Sequence, residues 1–320
     1  MRVALMVPGK YPVDVNKMQR FTEVVNYFLV PEIERLCNCQ VIRIPKAEKT
    51  SELIEVIGSV DLSDFDAMIF LGQRYVSHLD QSVIDLIHER FDGIVCQLCD
   101  SSRLKMDSVD ITFVIKEASP PPERVQDHID GNNLCIGWGA SPEYCVSQQI
   151  NDELRILVDH TLYHAGDDWT GDILNSLREY IESETWKGQY QSVKVRQMVS
   201  GGVIDVDFGN PDVEQYDRSG IPYPEICEEY SQTHVFCVTH RGSLGLTALE
   251  TAMCGSMVVS PKGCIPRDRL ETIRHVEFSE SIDWNGIVKM IDFGKSRSNA
   301  LGNTWETMAK NIISHLSNFL

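Results

Sequence analysis

The residues between 221 and 259 carry more potential chemistry for their length than any other stretch of the chain. Val235-Phe236-Cys237-Val238 reads as a buried strand, and Thr239-His240-Arg241-Gly242-Ser243 as a polar loop. A helix follows from about Leu244 to Cys254, and Gly255 stops it before a second apolar run, Met257-Val258-Val259. A strand that feeds a helix through such a loop leaves the first backbone N–H groups of the helix unpaired. They lie at the positive end of its dipole, where a phosphate can bind. Glu250 falls about two turns into the helix. A carboxylate there can accept hydrogen bonds from paired hydroxyls such as those of a ribose. The same spacing also fits an ordinary strand–helix–strand unit with a solvated Glu250.

Other candidates sit at expected strand ends. Asp100, in Cys99-Asp100-Ser101-Ser102-Arg103, either acts on a hydroxyl as general base or orienting group, or caps a turn. Arg74, after Leu71-Gly72-Gln73, either binds a substrate or is solvated. His160 and His164 stand four apart with Asp167 and Asp168 nearby, which raises the question of a metal. That spacing helps only on a helix, and Gly166 with the acidic pair reads as a loop, so no metal is expected. Cys96 and Cys99 have no second pair at ligand spacing, and a strand turns them to opposite faces, so they read as buried thiols. Lys262 and Arg267 either line a site or belong to a solvated loop. There is no Walker phosphate loop, G-x-G-x-x-G or nucleophile elbow, which argues against kinase, dehydrogenase and hydrolase chemistry.

To gather such residues the chain must alternate strands and helices, and it does so almost from end to end. Strands are predicted at 3–7, 39–44, 67–71, 93–98, 111–115 and 134–136. Helices are predicted through Met18, Phe21, Val25, Phe28 and Leu29 and again at 82–90, with Pro31 kinking the first or starting a new one. The pattern lapses between 137 and 153, which reads as an interdomain crossing. It restarts with strands at 154–158, 193–198, 235–238 and 257–260. Helices lie at 171–182, near 224–230 and at 244–254, and an amphipathic helix closes the chain over 304–320. The fold class is therefore α/β, with two Rossmann-like domains facing across a cleft: 1–150, then 151–303, then the closing helix. In open sheets of this kind ligands sit beyond the carboxyl ends of the strands.

Composition narrows the function further. Of 320 residues, 29 are Lys or Arg and 47 Asp or Glu, a net charge of −18 that opposes broad charge-driven binding to nucleic acid or anionic membrane. No apolar run reaches a membrane span, and the short apolar stretch after Met1-Arg2 reads as a strand rather than an export signal. The 10 cysteines are scattered in a chain large enough to fold without staples, so reduced thiols and a cytoplasmic location are expected.

The run Ser243-Leu244-Gly245-Leu246-Thr247-Ala248-Leu249-Glu250, followed by Cys254-Gly255 and Val258-Val259, resembles the donor-site signature of glycosyltransferases with the two-Rossmann GT-B fold. It is most similar to glycosyltransferase family four and its relatives, and Ile221-Pro222-Tyr223-Pro224-Glu225 with Tyr230 resembles that family's approach to the signature. The likeness covers residues 220–265; elsewhere it is architectural, including a closing helix that packs back on the first domain. The resemblance implies transfer of a sugar from a nucleotide diphosphate sugar, as co-substrate, to an acceptor hydroxyl, with no bound metal or other cofactor. Glu250 matches the second glutamate of the family's Glu-x7-Glu motif, which contacts the donor ribose. Gly245 and Leu246 bring backbone amides to the diphosphate, and Ser243, Leu244 and Thr247 line the same turn. Gly9, His160 and His240 complete the donor-binding set. The first glutamate of the motif is replaced by Gly242, so His240 or Arg241 is left to take part of its role, and Arg241 is placed to neutralise the departing diphosphate. The resemblance implies retention of configuration. The acceptor stays open between a small molecule, a glycan and a modified DNA base, the last because compact phage enzymes that glycosylate hydroxymethylated bases share this layout. A nucleotide-sugar-binding protein without catalysis is the third reading.

Overall fold

A computed structural model describes residues 1–9, 11–18, 21–44, 50–71, 81–101, 109–116, 133–148, 152–159, 169–199, 213–239, 245–265 and 270–320. In chain order it begins β1 (Arg2–Pro8), α1 (Phe21–Leu36), β2 (Asn38–Ile44), α2 (Thr50–Ser59), β3 (Ala67–Leu71) and α3 (Gln81–Arg90). Next come β4 (Ile94–Ser101), β5 (Ile111–Lys116), β6 (Asn133–Cys135), β7 (Glu153–Asp159), α4 (Thr170–Glu182), β8 (Ser192–Val199) and β9 (Val213–Asp217). Then follow α5 (Tyr223–Ser231), β10 (Val235–Cys237), α6 (Leu246–Cys254), β11 (Met257–Pro261) and β12 (His275–Phe278). The chain closes with α7 (Trp284–Lys289), α8 (Phe293–Ala300) and α9 (Trp305–Ser317). Among the described residues no helix is long and apolar enough to cross a membrane.

The chain divides into two compact units, Met1–Gly139 with Trp305–Leu320, and Ala140–Thr304. The first is built on a six-stranded sheet in the order β2-β1-β3-β4-β5-β6, every neighbouring pair parallel. Parallel strands are joined by crossovers that cover both faces of a sheet, which is why β1 is apolar on both sides, with Val3 to Val7 at most 1% exposed. On one face Ala4, Met6, Met68 and Phe70 pack with Leu53 and Ile57 of α2 and Val83, Ile84 and Ile87 of α3. The helix α1 packs instead with α9, where Phe28 and Trp305 stack at 5.8 Å between ring centroids and Arg35 pairs with Glu306 at 2.9 Å.

The second unit holds six strands in the order β12-β11-β10-β7-β8-β9, again all parallel. Ile156, Val158, Val195 and Val235 face Ile173, Leu174 and Leu177 of α4 and Trp284 and Ile287 of α7. From β7 the chain steps outward through β8 to β9, then returns to the other side of β7 as β10. The order therefore reverses between β7 and β10, the place where a crevice opens at the carboxyl ends of an open sheet. In the first unit the same reversal lies between β1 and β3.

Several elements differ from the sequence expectation. The first division falls between Gly139 and Ala140, ahead of the expected boundary at 150. The segment 140–148 is tied to the second unit: Ala140 N donates to Asn303 O at 3.0 Å, and Gln148 N to Ser231 O at 2.9 Å. Arg297 of α8 donates to the carbonyls of Cys145 and Pro142. The short strands β9 and β12 and the helices α2, α7 and α8 were not anticipated. Pro31 starts no new helix; α1 runs through it, with only the bond to the carbonyl four residues earlier removed.

Candidate functional site

The helix α6 begins at Leu246 rather than Leu244, because Gly245 is extended, with φ −67° and ψ 164°, and serves as its N-cap. Among the described residues no side chain caps this end. The N–H groups of Leu246, Thr247 and Ala248 therefore have no partner within the helix and point out of a first turn that is half-buried. From Ala248 onward the helix is buried. At the other end Gly255 turns the chain with φ 111°, and a Cβ there would meet Phe293 Cδ1 at 2.7 Å. Arg297 Nη1 also donates to the carbonyl of Met253 at 2.7 Å, which places a cation on the negative end of the helix. The helix is thus fixed at its carboxyl end and left chemically open at its amino end.

That open end lies at the strand-order reversal. Thr239, just beyond β10, donates from its hydroxyl to the carbonyl of Asp159 at the end of β7, joining the two strands that flank the crevice. The Asp159 side chain is 8% exposed, and its Oδ1 has no hydrogen-bond partner among the described residues. Arg218 follows β9, donates from its backbone to Val199 O at 3.2 Å, and reaches with Nη1 to Thr247 Oγ1, also at 3.2 Å. It faces Asp159, Tyr230 and Glu250 electrostatically, and its half-buried guanidinium stays charged, its pKa held above the ordinary value by these neighbours against burial.

Glu250 is not solvated. It is 3% exposed, and Tyr223 at the start of α5 donates from Oη to Glu250 Oε1 at 2.5 Å. Burial pushes this carboxyl up to about 8, opposed by the Tyr223 hydrogen bond and the Arg218 charge. Burial likewise raises Tyr223, helped by the charge of Glu250. The buried thiols of Cys145 and Cys227 lie close to Glu250, and Cys254 is beside Cys145.

The structure brings together Gly245, Leu246, Thr247 and Glu250 from the expected donor set. Ser243, Leu244, His240, Arg241 and Gly242 lie outside the described residues, as do His160, Arg74 and Arg267. Asp100 lies near the carboxyl end of β4, and its side chain is outside the description. Gly9 follows β1 with φ 79°, beside the strand-order reversal of the first unit, and donates to Ile44 O at 3.2 Å. Lys262 is exposed after β11, and Cys96 is fully buried in β4. Sequence reasoning missed Arg218, Tyr223 and Asp159. Tyr223 stood within the quoted Ile221–Glu225 run, but nothing local to Arg218 marks it, since its partner is 29 residues away.

No protein-family model and no curated protein matches the sequence. Solved structures do match in fold. The lipopolysaccharide outer core galactosyltransferase WaaB, in its apo form, superposes with a TM-score of 0.64 at 11% identity over 100% of both chains. A UDP-forming α,α-trehalose-phosphate synthase from Burkholderia xenovorans gives 0.56 at 11% identity, over 93% of this chain and 80% of its own. UDP-GlcNAc 2-epimerase from Neisseria meningitidis, bound to UDP-GlcNAc, gives 0.52 at 12% identity, over 99% of this chain and 100% of its own. With two consecutive parallel α/β sheets and these neighbours, the chain has the GT-B fold of two Rossmann-like domains.

Proposed function

We propose that this chain is a glycosyltransferase that moves a sugar from a nucleotide diphosphate sugar to an acceptor hydroxyl. The observation that carries the reading is the first turn of α6 at the β7/β10 reversal, uncapped by any described side chain, with Thr247 in that turn and Glu250 one turn behind. A diphosphate meets N–H donors there that have no partner within the helix, and Glu250 is within the same helix for the ribose hydroxyls. Two fold neighbours, a galactosyltransferase and an epimerase bound to UDP-GlcNAc, support a nucleotide-sugar ligand.

In the transfer step the bond from the anomeric carbon to the diphosphate oxygen breaks and one to the acceptor oxygen forms. The charge that develops on the leaving diphosphate is stabilised by the α6 amide groups and by Arg241. The acceptor proton needs a base, and Asp100, at the carboxyl end of β4, is the candidate. Retention is what the resemblance implies. Gly242 in place of the first glutamate favours a second reading, nucleotide-sugar binding without transfer. The net charge of −18 weighs against a DNA-base acceptor.

Thermal shift and ligand-observed NMR against uridine, guanosine, cytidine, adenosine and thymidine diphosphate sugars test the reading. A selective donor should raise Tm, and Glu250→Ala should weaken it by at least roughly tenfold. Unchanged affinity in Glu250→Ala would sink the ribose role. Binding without transfer or donor hydrolysis across a broad acceptor panel would establish the second reading.

A further inference from the structure

Glu250 and Thr247 are each held by a residue to which the donor-site reading gives no task. Tyr223 Oη donates to Glu250 Oε1 at 2.5 Å, and the two side chains are 4% and 3% exposed. A carboxylate with one oxygen tied to a buried phenol cannot swing about its last torsion. Arg218 Nη1 donates to Thr247 Oγ1 at 3.2 Å, and Thr247 lies three residues before Glu250, on the same helix face. We propose that Tyr223 and Arg218 are positioning residues of the donor site, Tyr223 acting through Glu250 and Arg218 through Thr247 and the first turn of α6. The inference rests on Glu250 being the ribose-binding carboxylate.

The arrangement has a consequence for pH that mere packing lacks. Among the described residues the groups facing Glu250 are Tyr223, Cys227 and Tyr230 of α5, Cys145 of the 140–148 segment, itself beside Cys254, and Arg218, itself beside Asp159 of β7. Among them Arg218 carries the positive charge. Burial raises Glu250, while Tyr223 and Arg218 both pull it back. Ribose hydroxyls donate best to the ionised carboxylate, so donor affinity should climb with pH until free Glu250 is ionised. Loss of either support must move that climb to higher pH.

The test is calorimetric titration with UDP-glucose, UDP-GlcNAc and GDP-mannose from about pH 6 to about pH 9.5. It compares the wild type with Tyr223→Phe, Arg218→Gln, Arg218→Lys and Glu250→Gln. Tyr223→Phe and Arg218→Gln should each shift the affinity midpoint upward by about one pH unit and weaken neutral-pH binding by roughly five- to tenfold. Arg218→Lys should restore the wild-type profile, and Glu250→Gln should lack this limb. Wild-type binding with an unmoved midpoint in folded Tyr223→Phe and Arg218→Gln overturns the inference and leaves the donor reading standing. A limb retained in Glu250→Gln overturns it as well. Should Tyr223→Phe not fold, the contrast of Arg218→Gln with Arg218→Lys decides. Failure of the wild type to bind any of the three sugars, or any other in the wider panel, overturns the donor reading itself.

Discussion

At the scale of the residue, Glu250 poses a conflict between burial and charge. A carboxyl this deep is costly to ionise, and its pKa rises to about 8 despite Tyr223 and Arg218. The sign of the stability effect follows. Between the ordinary value of 4.5 and about 8, the unfolded chain has released the proton that the folded protein keeps. The stabilisation is therefore full at low pH and is lost as pH rises through the folded value. Glu250→Gln, which keeps the shape and the acceptor for Tyr223, removes this dependence. Its Tm should gain on the wild type as pH rises from about 5 to about 8, by up to about 1.4 kcal/mol per pH unit, or a few degrees. Parallel Tm curves for the two proteins across that range would show that Glu250 does not hold its proton in the fold.

At the scale of the element, α6 joins a loose beginning to a rigid end. Its last turn is gripped by Gly255, by Phe293 against that glycine, and by Arg297 on the carbonyl of Met253. Gly255→Ala would force a Cβ onto the Phe293 ring and an L-residue into a left-handed conformation. It should destabilise the protein by roughly 2–4 kcal/mol in chemical denaturation. A loss below about 0.5 kcal/mol would mean that α8 shifts freely and does not grip the helix. This element also marks how far the sequence could be read. The apolar centre strands and the stop at Gly255 were visible because burial on both sides writes a continuous pattern. β9 (Val-Glu-Gln-Tyr-Asp) and β12 (His-Val-Glu-Phe) lie at the sheet edges, with one neighbour each, and their mixed polar sequences carry no such pattern. α7 and α8 are short, yet Asp283 and Asp292 cap their first N–H groups, at Gly286 and Lys295, a signal that capping rules could have caught. Glu250 could be picked out, but its partners could not. Tyr223 and Arg218 meet α6 only through the fold, 27 and 29 residues away along the chain.

At the scale of the whole molecule, the first unit is completed by residues from the far end of the chain. Its six-stranded sheet is made within Met1–Gly139, but the partner of α1 is α9, which is synthesised only after the whole second unit. Until α9 arrives, α1 has an unpartnered apolar face, and the first unit should lag in folding behind the second. Trp305 is the contact to test. It is 3% exposed, stacks on Phe28 and meets Trp138 edge-on at 6.3 Å between ring centroids. Trp305→Ala leaves a cavity in that packing and should cost about 3–5 kcal/mol. Both of these ring contacts lie within the first unit. Hydrogen exchange should therefore accelerate in α1 and β1, while α4 and β8 of the second unit keep wild-type protection. Equal acceleration in both units would mean that the two unfold as one cooperative body, and that α9 stabilises the molecule as a whole rather than the first unit alone.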